Sequence, residues 1–356
     1  MVSDFLIFAP LVLFSFVLIW MSIVSFSNLF LMPRVGRGSG RFGTVLIPAR
    51  DEAENLKRLL PQLMKEVEQV IVYDDGSSDG TSDVAQEFGA TVIRGDGDLP
   101  EGWTGKNHAC WQLAKVAAEV SASEWWLFLD ADTQVEEGFG GTLGSMVTDL
   151  GGKYPVITGL PKMLPGKFPE PIYLFWVPWV ILSTIPFGLI YQLGIGHIKF
   201  TNGQFVLWNS ARYFDINPHE TCKEEVLEDV KIGRYLAKQK VPVVAVDVSR
   251  ILSVRMYEDL SGAWKGMLKN SYCVTGNPVG SVVVALFLFG LAATLFLNPL
   301  AFFCGLFTAI FAALAVKMPW YTVLLFPLSV FAAGVTQLSS MIAAFGGGVE
   351  WKGRKY

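Results

Sequence analysis

Charged residues are scarce in this sequence, and they are distributed unevenly. They make up 17% of its 356 residues, whereas soluble domains carry about a quarter. Charge is concentrated between about Arg34 and Lys269, and both ends of the chain are nearly bare. This distribution predicts a soluble central region, long enough for one α/β domain with a full core, with membrane segments at both ends.

Signatures of several other protein classes are also missing. A formal net charge of −4 argues against nucleic-acid binding, which needs a basic surface. The three histidines are scattered, which argues against a zinc site. The four cysteines are too far apart for metal-ligand spacing or a disulfide framework. We expect free thiols in a reducing compartment at Cys110, Cys222, Cys273 and Cys304.

Residues 5–32 contain no charged side chain and are long enough to cross a hydrocarbon core of about 30 Å. A cleaved signal peptide would need a basic start and a shorter apolar run. Residues 1–32 are therefore predicted to form an uncleaved anchor. Because Arg34, Arg37 and Arg41 follow it, the positive-inside rule places the N-terminus outside and a domain at 33–278 in the cytoplasm.

Residues 279–346 hold two more apolar blocks, at 279–316 and 320–345. The first is too long for one crossing, and Asn298-Pro299 near its middle predicts a helical hairpin. Three crossings from a cytoplasmic domain would leave the tail outside, yet this tail, residues 347–356, is basic and prefers the cytoplasm. Either one segment is re-entrant or the tail breaks the charge preference; we favour a tail inside.

A further uncharged block at 171–196 lies between charged α/β stretches. A single crossing there would split the central domain across two compartments, and its three prolines argue against one straight helix. Since tryptophan prefers the membrane interface, we expect an interfacial or shallowly inserted segment. The alternative is a buried pair of core helices.

The central region alternates strands and helices. Strands are predicted at 44–48, 70–73, 90–94 and 125–129, and helices at 52–67, 77–88 and 108–120, with Ser78 or Asp79 as the N-cap of the second helix. This alternation predicts an α/β fold with a mostly parallel sheet and helices on both faces. Ligands of such sheets bind beyond the carboxyl ends of the strands.

Acidic clusters stand at three of these predicted strand ends: Asp51-Glu52, Asp74-Asp75, and Asp130 with Asp132. Alternate side chains at a strand end share one side, so Asp130 and Asp132 are predicted to face one point. Two hard oxygen ligands suit Mg²⁺ or Mn²⁺ with substrate phosphate oxygens as further ligands. The alternative is a pair of solvated turn aspartates.

Donor phosphates need other partners, since neither a GxGxxG nor a Walker pattern follows the first strand. Lys106, in a loop just before a helix, is the candidate cation; a solvated loop lysine is the alternative. Asp74-Asp75 is either a turn or a hydrogen-bonding site for a nucleobase or ribose. Residues 224–233 are predicted to begin a helix, in which Asp229 or Glu228 is either a general base or part of an ordinary acidic first turn.

The motifs together resemble family 2 glycosyltransferases of the GT-A fold. The resemblance rests on Ile47-Pro-Ala-Arg-Asp-Glu52, Asp74-Asp-Gly-Ser-Ser-Asp-Gly-Thr81, Asp130-Ala-Asp132 and Glu228-Asp229. The stretches 102–110 and 349–356 are similar to bacterial carotenoid glycosyltransferases of the diaponeurosporenoate type. Hopanoid-associated and ceramide glucosyltransferases are similar at a greater distance.

The resemblance implies a metal-dependent enzyme that inverts the configuration of a transferred sugar. Asp75 then contacts the base, Asp132 is the chief metal ligand and Asp229 is the catalytic base, with Glu228 as the alternative. The remaining donor-site positions it implies are Pro48, Ala49, Arg50, Glu52, Asp74, Lys106, Asp130 and Ala131. Processive members carry Gln-x-x-Arg-Trp, which the region around Trp264 lacks, so single transfer is expected.

The resemblance implies a UDP-glucose-like donor and a membrane lipid acceptor such as a carotenoid acid. Residues 171–196 are expected to form the entrance for that lipid. A hopanoid, diacylglycerol or polyprenyl phosphate acceptor is the closest alternative. A nucleotidyltransferase would need a glycine-rich nucleotide loop, and a non-catalytic membrane partner or flippase is disfavoured by the intact aspartates.

Overall fold

The computed structural model describes residues 2–195, 198–348 and 350–355. It contains two compact units, each built from several chain segments. One unit comprises Pro33–Lys162 and Leu193–Val254, and the other comprises Met1–Met32, Met163–Gln192 and Arg255–Tyr356. Residues 163–192 and 255–278 thus cluster with the apolar ends of the chain.

The strands are, in chain order, β1 (Phe42–Ala49), β2 (Val67–Asp74), β3 (Thr91–Arg94), β4 (Trp125–Leu129), β5 (Thr133–Val135), β6 (Val156–Leu160), β7 (Lys162–Met163), β8 (Phe205–Asn209), β9 (Val243–Asp247), β10 (Leu252–Val254), β11 (Glu350–Trp351) and β12 (Arg354–Lys355). The helices are α1 (Val2–Leu31), α2 (Ala53–Glu66), α3 (Thr81–Glu87), α4 (Gly105–Val120), α5 (Phe139–Leu150), α6 (Glu170–Leu174), α7 (Trp176–Thr184), α8 (Phe187–Gln192), α9 (Ser210–Ile216), α10 (Pro218–Thr221), α11 (Glu228–Lys238), α12 (Leu260–Thr275), α13 (Pro278–Leu297), α14 (Pro299–Val316), α15 (Trp320–Leu324) and α16 (Phe326–Phe345).

A seven-stranded sheet in the order β3-β2-β1-β4-β8-β6-β9 forms the core of the first unit. Its strands pair in parallel except for β8, which runs antiparallel between β4 and β6. Every residue of β4 is buried, as expected for a strand covered on both faces. The predicted mostly parallel α/β sheet is confirmed, and the antiparallel strand β8 is an addition to it.

Three predicted helix starts are wrong. The second helix begins at Thr81, not residue 77, and its N-cap is Gly80 rather than Ser78 or Asp79. The third begins at Gly105 instead of residue 108. Helix α11 begins at Glu228 instead of residue 224, because the preceding segment bonds elsewhere: the Asn107 side-chain amide donates to the Cys222 and Glu225 carbonyls, both at 3.0 Å.

The second unit holds five helical segments long and apolar enough to cross a membrane. They include the predicted N-terminal anchor and three C-terminal segments, and they span Val12–Leu31, Glu170–Gln192, Pro278–Leu297, Pro299–Val316 and Phe326–Phe345. Asn298 lies between the two helices of the predicted hairpin, and its Oδ1 caps α14 by accepting from the Leu300 backbone N–H at 3.0 Å. The two hairpin helices are therefore separate, as the sequence predicts.

The proline-rich block is three short helices, α6 to α8, rather than one straight helix. The side chain of Asn28 on α1 hydrogen-bonds the backbone groups at the break between α7 and α8. Its amide donates to the carbonyls of Leu182 and Ile185 at 2.8 and 2.7 Å, and its Oδ1 accepts from the Gly188 N–H at 3.0 Å. Broken helix in an apolar setting is tolerated where side chains satisfy the freed backbone groups in this way.

Candidate functional site

The loops after β1 and β2 interlock through acidic side chains. Asp74, 5% exposed, accepts hydrogen bonds from the Ser77 N–H at 2.8 Å and from the Ser82 hydroxyl. Asp51 accepts from the Ser78 N–H at 2.9 Å, and its backbone lies in the left-handed region at φ +50°. The predicted acidic strand ends thus shape the loops themselves, as Asp and Ser do in turns.

Asp75 lies at the centre of this interlocked region and is 4% exposed. Its N–H donates to the Ala49 carbonyl at 2.9 Å, which extends the β1–β2 pairing by one residue. Its own carbonyl accepts from Arg50 Nη1 at 2.5 Å. Arg50 therefore holds the backbone at the end of β2.

An ion cluster forms at the carboxyl end of β4. Lys106 Nζ lies 2.7 Å from Asp130 Oδ1 and 2.9 Å from Glu228 Oε1. Burial raises the pKa of the Asp130 carboxyl, and Lys106 opposes that rise. Burial disfavours the Lys106 ammonium, but Asp130 and Glu228 hold its pKa well above the ordinary value. Lys106 is a fixed cation between two carboxylates.

Asp229, next to this cluster, has different partners. Its Oδ1 accepts from the Val230 N–H at 2.7 Å and its Oδ2 from the Gly203 N–H at 3.2 Å. Burial and then the neighbouring Glu228 raise the pKa of its carboxyl to about 6, against the opposing effects of Lys106 and the two N–H groups. A carboxylate with a pKa near the working pH suits general-base chemistry.

A cavity of about 20 Å³ connects these groups, which is room for about one water. Five predicted site residues line it: Pro48, Lys106, Asp130, Glu228 and Asp229. His219 and Cys110 also line it; burial lowers the pKa of His219 to about 3 and raises that of the Cys110 thiol. Both therefore stay neutral at working pH.

The remaining predicted residues do not line this cavity. Ala131 is buried and Asp132 half-buried in the turn after β4. Glu52 is close enough to Asp130 to raise the pKa of that carboxyl. Ala49, Arg50, Asp74 and Asp75 instead form the end of the β1–β2 pair. Two lining residues that the sequence reasoning missed, Thr201 and Gly203, precede β8 in a Thr-Asn-Gly-Gln turn.

The donor set fits a metal that shares its coordination with a substrate. Among the described residues, no group of three or more His, Cys, Asp or Glu side chains is arranged to hold an ion. A Mg²⁺-type ion needs only one or two protein carboxylates when phosphate oxygens and waters complete its shell. Asp132, with Asp130 beside it, meets that requirement, although Asp130 here is paired with Lys106.

Comparison with known proteins shows which proteins the chain is similar to. Residues 44–147 match the model of glycosyl transferase family 2. The chain is 27% identical over 264 residues to 4,4'-diaponeurosporenoate glycosyltransferase of Staphylococcus aureus strain USA300, covering 71% of this chain and 67% of that one. The corresponding protein of strain MRSA252 is 26% identical over 263 residues, with the same coverage.

A solved structure is similar at lower identity. It is glucosyl-3-phosphoglycerate synthase from Mycobacterium tuberculosis in complex with Mn²⁺, UDP and glucosyl-3-phosphoglycerate. The TM-score is 0.41 at 16% identity, covering 67% of this chain and 80% of that one.

Proposed function

We propose that the chain, whose residues 44–147 match glycosyl transferase family 2 and which is similar to a curated glycosyltransferase, transfers one sugar from a nucleotide-sugar to a membrane lipid. The observation that carries the proposal is the position of Asp229. Its carboxylate, with a pKa near 6, lines one cavity with Asp130 and Lys106 at the end of β4. In this proposal a base and a diphosphate-binding group line the same space.

Asp132 and Asp130 hold Mg²⁺ or Mn²⁺ in this proposal. When bound there, such an ion would supply positive charge next to the diphosphate leaving group. Lys106 supplies a second positive charge, and its two carboxylate partners keep it protonated. Asp75 hydrogen-bonds the nucleobase or ribose. Pro48, Ala49, Arg50, Glu52, Asp74 and Ala131 shape the walls of the donor site.

Asp229 acts as the general base. It takes the proton from the acceptor oxygen as that oxygen forms a bond to the anomeric carbon. The bond from that carbon to the nucleoside diphosphate breaks in the same displacement, so the configuration inverts. Both Asp229 oxygens keep a lone pair for the proton, because each accepts one backbone N–H and a carboxylate oxygen has two such sites.

The acceptor is proposed to be a lipid such as a carotenoid acid. Support comes from the five apolar helical segments and from the carotenoid-related name of the S. aureus relatives. The enzyme is then a multi-pass membrane protein with its catalytic domain in the cytoplasm. A hopanoid, a diacylglycerol or a polyprenyl phosphate would present the same chemistry, an oxygen nucleophile on an apolar body.

The test uses the full-length protein in detergent. Its thermal unfolding is followed with UDP, GDP or dTDP plus Mn²⁺, and labelled UDP-glucose is then incubated with a membrane lipid extract for mass analysis. We expect UDP to stabilise the protein and a hexosyl lipid to form. Absence of stabilisation by every nucleotide would contradict the proposal.

Asp132→Ala provides the matched variant for the metal site. We expect it to remove metal-dependent turnover and the Mn²⁺ requirement for nucleotide binding, while thermal unfolding without ligand stays that of the wild type. Retained metal-dependent activity would exclude Asp132 from the site.

A further inference from the structure

The turn at residues 201–204 contacts both sides of the candidate site. The Thr201 hydroxyl donates to the Asp229 carbonyl at 2.7 Å, and the Gly203 N–H donates to Asp229 Oδ2 at 3.2 Å. The Gln204 carbonyl accepts from the Asp130 N–H at 3.5 Å. One short segment therefore touches Asp130, the residue that follows β4, and the predicted base on α11.

This turn is fixed to the sheet rather than suspended over it. The Asn202 N–H donates to the Thr158 hydroxyl at 2.8 Å, and its side-chain amide donates to the Gly159 carbonyl at 2.8 Å. Thr158 lies on β6 and is fully buried, and Thr201 is 1% exposed. A turn anchored this way holds its donors in one position.

Glycine at 203 is explained by space and not by backbone conformation, since Gly203 is not among the residues with positive φ. A Cβ placed there would lie 2.8 Å from Lys106 Nζ and 3.0 Å from Glu228 Oε1, with the Asp229 Cβ at 3.6 Å. The ion cluster therefore occupies the volume that any other side chain at 203 would need.

We propose that residues 201–204 are a positioning element of the active site, in which Gly203 admits Lys106 and Glu228 beside Asp229 and aims the Asp229 carboxylate at the acceptor. This inference rests on the proposed function. The two backbone N–H groups, from Gly203 and Val230, each bind one oxygen and so fix the plane of the carboxylate. Misplacing a reacting group by about 1 Å costs about 100-fold in rate.

The charge around Asp229 comes from several elements, and the turn sets the distance to one of them. Glu228 neighbours it on α11, Lys106 and Cys110 come from α4, His219 from α10 and Asp130 from the end of β4. Of these, Lys106 is the group that opposes the upward shift of the Asp229 pKa. Displacing Lys106 therefore moves the acidic limb of the pH–rate profile to higher pH.

Gly203→Ala in the full-length protein tests the proposal, with Gly144→Ala as its matched control. A Cβ at Gly144, on α5, meets nothing within 4 Å. We expect Gly203→Ala to lower kcat for transfer from UDP-glucose to lipid extract about 100-fold. It should also shift the acidic limb, because the Cβ meets both Lys106 and Glu228, and leave the UDP–Mn²⁺ thermal shift intact. Gly144→Ala should behave as wild type.

Thr201→Val and Thr201→Ser provide a second test of the proposal if Gly203→Ala fails to fold. The valine removes the hydroxyl that donates to the Asp229 carbonyl, and the serine keeps it. We expect valine to lower kcat without weakening UDP binding, and serine to restore kcat.

Two results would overturn the inference alone: a Gly203→Ala variant with the rate and pH profile of Gly144→Ala, or, where it does not fold, a Thr201→Val variant equal to wild type. A wild-type protein that neither binds UDP nor transfers sugar would overturn the proposed function as well.

Discussion

Neighbouring carboxylates in this protein have different environments. Glu228 is paired with Lys106 at 2.9 Å, whereas Asp229 accepts hydrogen bonds from two backbone N–H groups. Burial and the charge of Glu228 then raise the pKa of Asp229. Glu228 therefore neutralises a cation, and Asp229 is left with the proton affinity that a base near neutral pH requires.

Asp229→Asn should separate donor binding from transfer. We expect UDP–Mn²⁺ binding to persist while the transfer rate falls about 10²- to 10⁴-fold, the range for losing a general base. Wild-type transfer by Asp229→Asn, combined with loss of transfer in Glu228→Gln, would instead make Glu228 the base.

The pH dependence of this pair supplies the companion measurement. Transfer needs the Asp229 carboxylate, so log(kcat/KM) should rise with unit slope up to about pH 6 and then level off. Glu228→Gln removes a charge that raises this pKa, so its acidic limb should move to lower pH. An unmoved limb in Glu228→Gln would contradict the assignment.

The raised pKa of Asp229 also makes the folding stability depend on pH. Folding raises the Asp229 pKa from 3.8 to about 6, so the folded state binds the proton more tightly. The stability contributed by this group is present below about pH 4 and is lost as the pH rises through about 6.

At the scale of secondary structure, a buried side chain at the end of one helix caps the start of another. Glu66, at the end of α2 and 8% exposed, accepts from the Gly138 N–H at 3.2 Å and the Gly140 N–H at 3.0 Å. These are the first backbone donors of α5, which has no side-chain cap of its own. The carboxylate also lies at the positive end of the helix dipole.

Glu66→Ala should therefore destabilise the unit that contains the seven-stranded sheet by about 1–3 kcal/mol, the cost of leaving buried donors without a partner. Glu66→Gln should recover part of that loss, because its amide oxygen still accepts one hydrogen bond. Exposed Glu68→Ala is the control, with little change expected. Chemical denaturation followed by tryptophan fluorescence measures the differences, and equal stability of the Glu66 and Glu68 variants would refute the capping role.

At the scale of the whole molecule, one sheet constrains the path of the chain. Strand β8 follows the 163–192 segment in sequence, yet it lies between β4 and β6, which precede that segment. Both ends of the segment therefore belong to the same compartment. A single membrane crossing by Glu170–Gln192 would place β8 on the opposite side of the membrane from its partners β4 and β6. The sheet therefore rules out such a crossing, although the segment is long and apolar enough to make one. An interfacial or re-entrant path is compatible with the sheet.

Cysteine labelling from outside intact cells tests this topology. In a variant without native cysteines, we expect Glu68→Cys and Lys240→Cys, on either side of the 163–192 segment, to resist a membrane-impermeant maleimide until the cells are permeabilised. Lys352→Cys reports the side of the tail, which we expect to be inside. Labelling of only one of the first two positions in intact cells would contradict a shared compartment.

Much of this architecture follows from local sequence pattern. Strand β4 was predicted with its observed bounds, because five consecutive apolar residues between polar ones allow little else. The apolar ends likewise predicted the candidate spans, and Asn298-Pro299 predicted the hairpin break. The helix starts at α3, α4 and α11 were misplaced, since hydrogen bonds to distant residues decide where those helices begin.

The candidate site, like the fold, was predicted only in part from the sequence. Aspartates after strands predict a site at the carboxyl edge of the sheet that includes Asp130 and Asp132, since parallel strands must end together. Asp229 is instead predicted from the acidic start of a helix together with the family resemblance. Only the tertiary structure paired Lys106 with Asp130 and Glu228 and inserted β8 antiparallel between β4 and β6. It alone brought the 201–204 turn under Asp229. These contacts join residues from 24 to 122 positions apart, and no local period or propensity encodes which distant surfaces meet when the core closes.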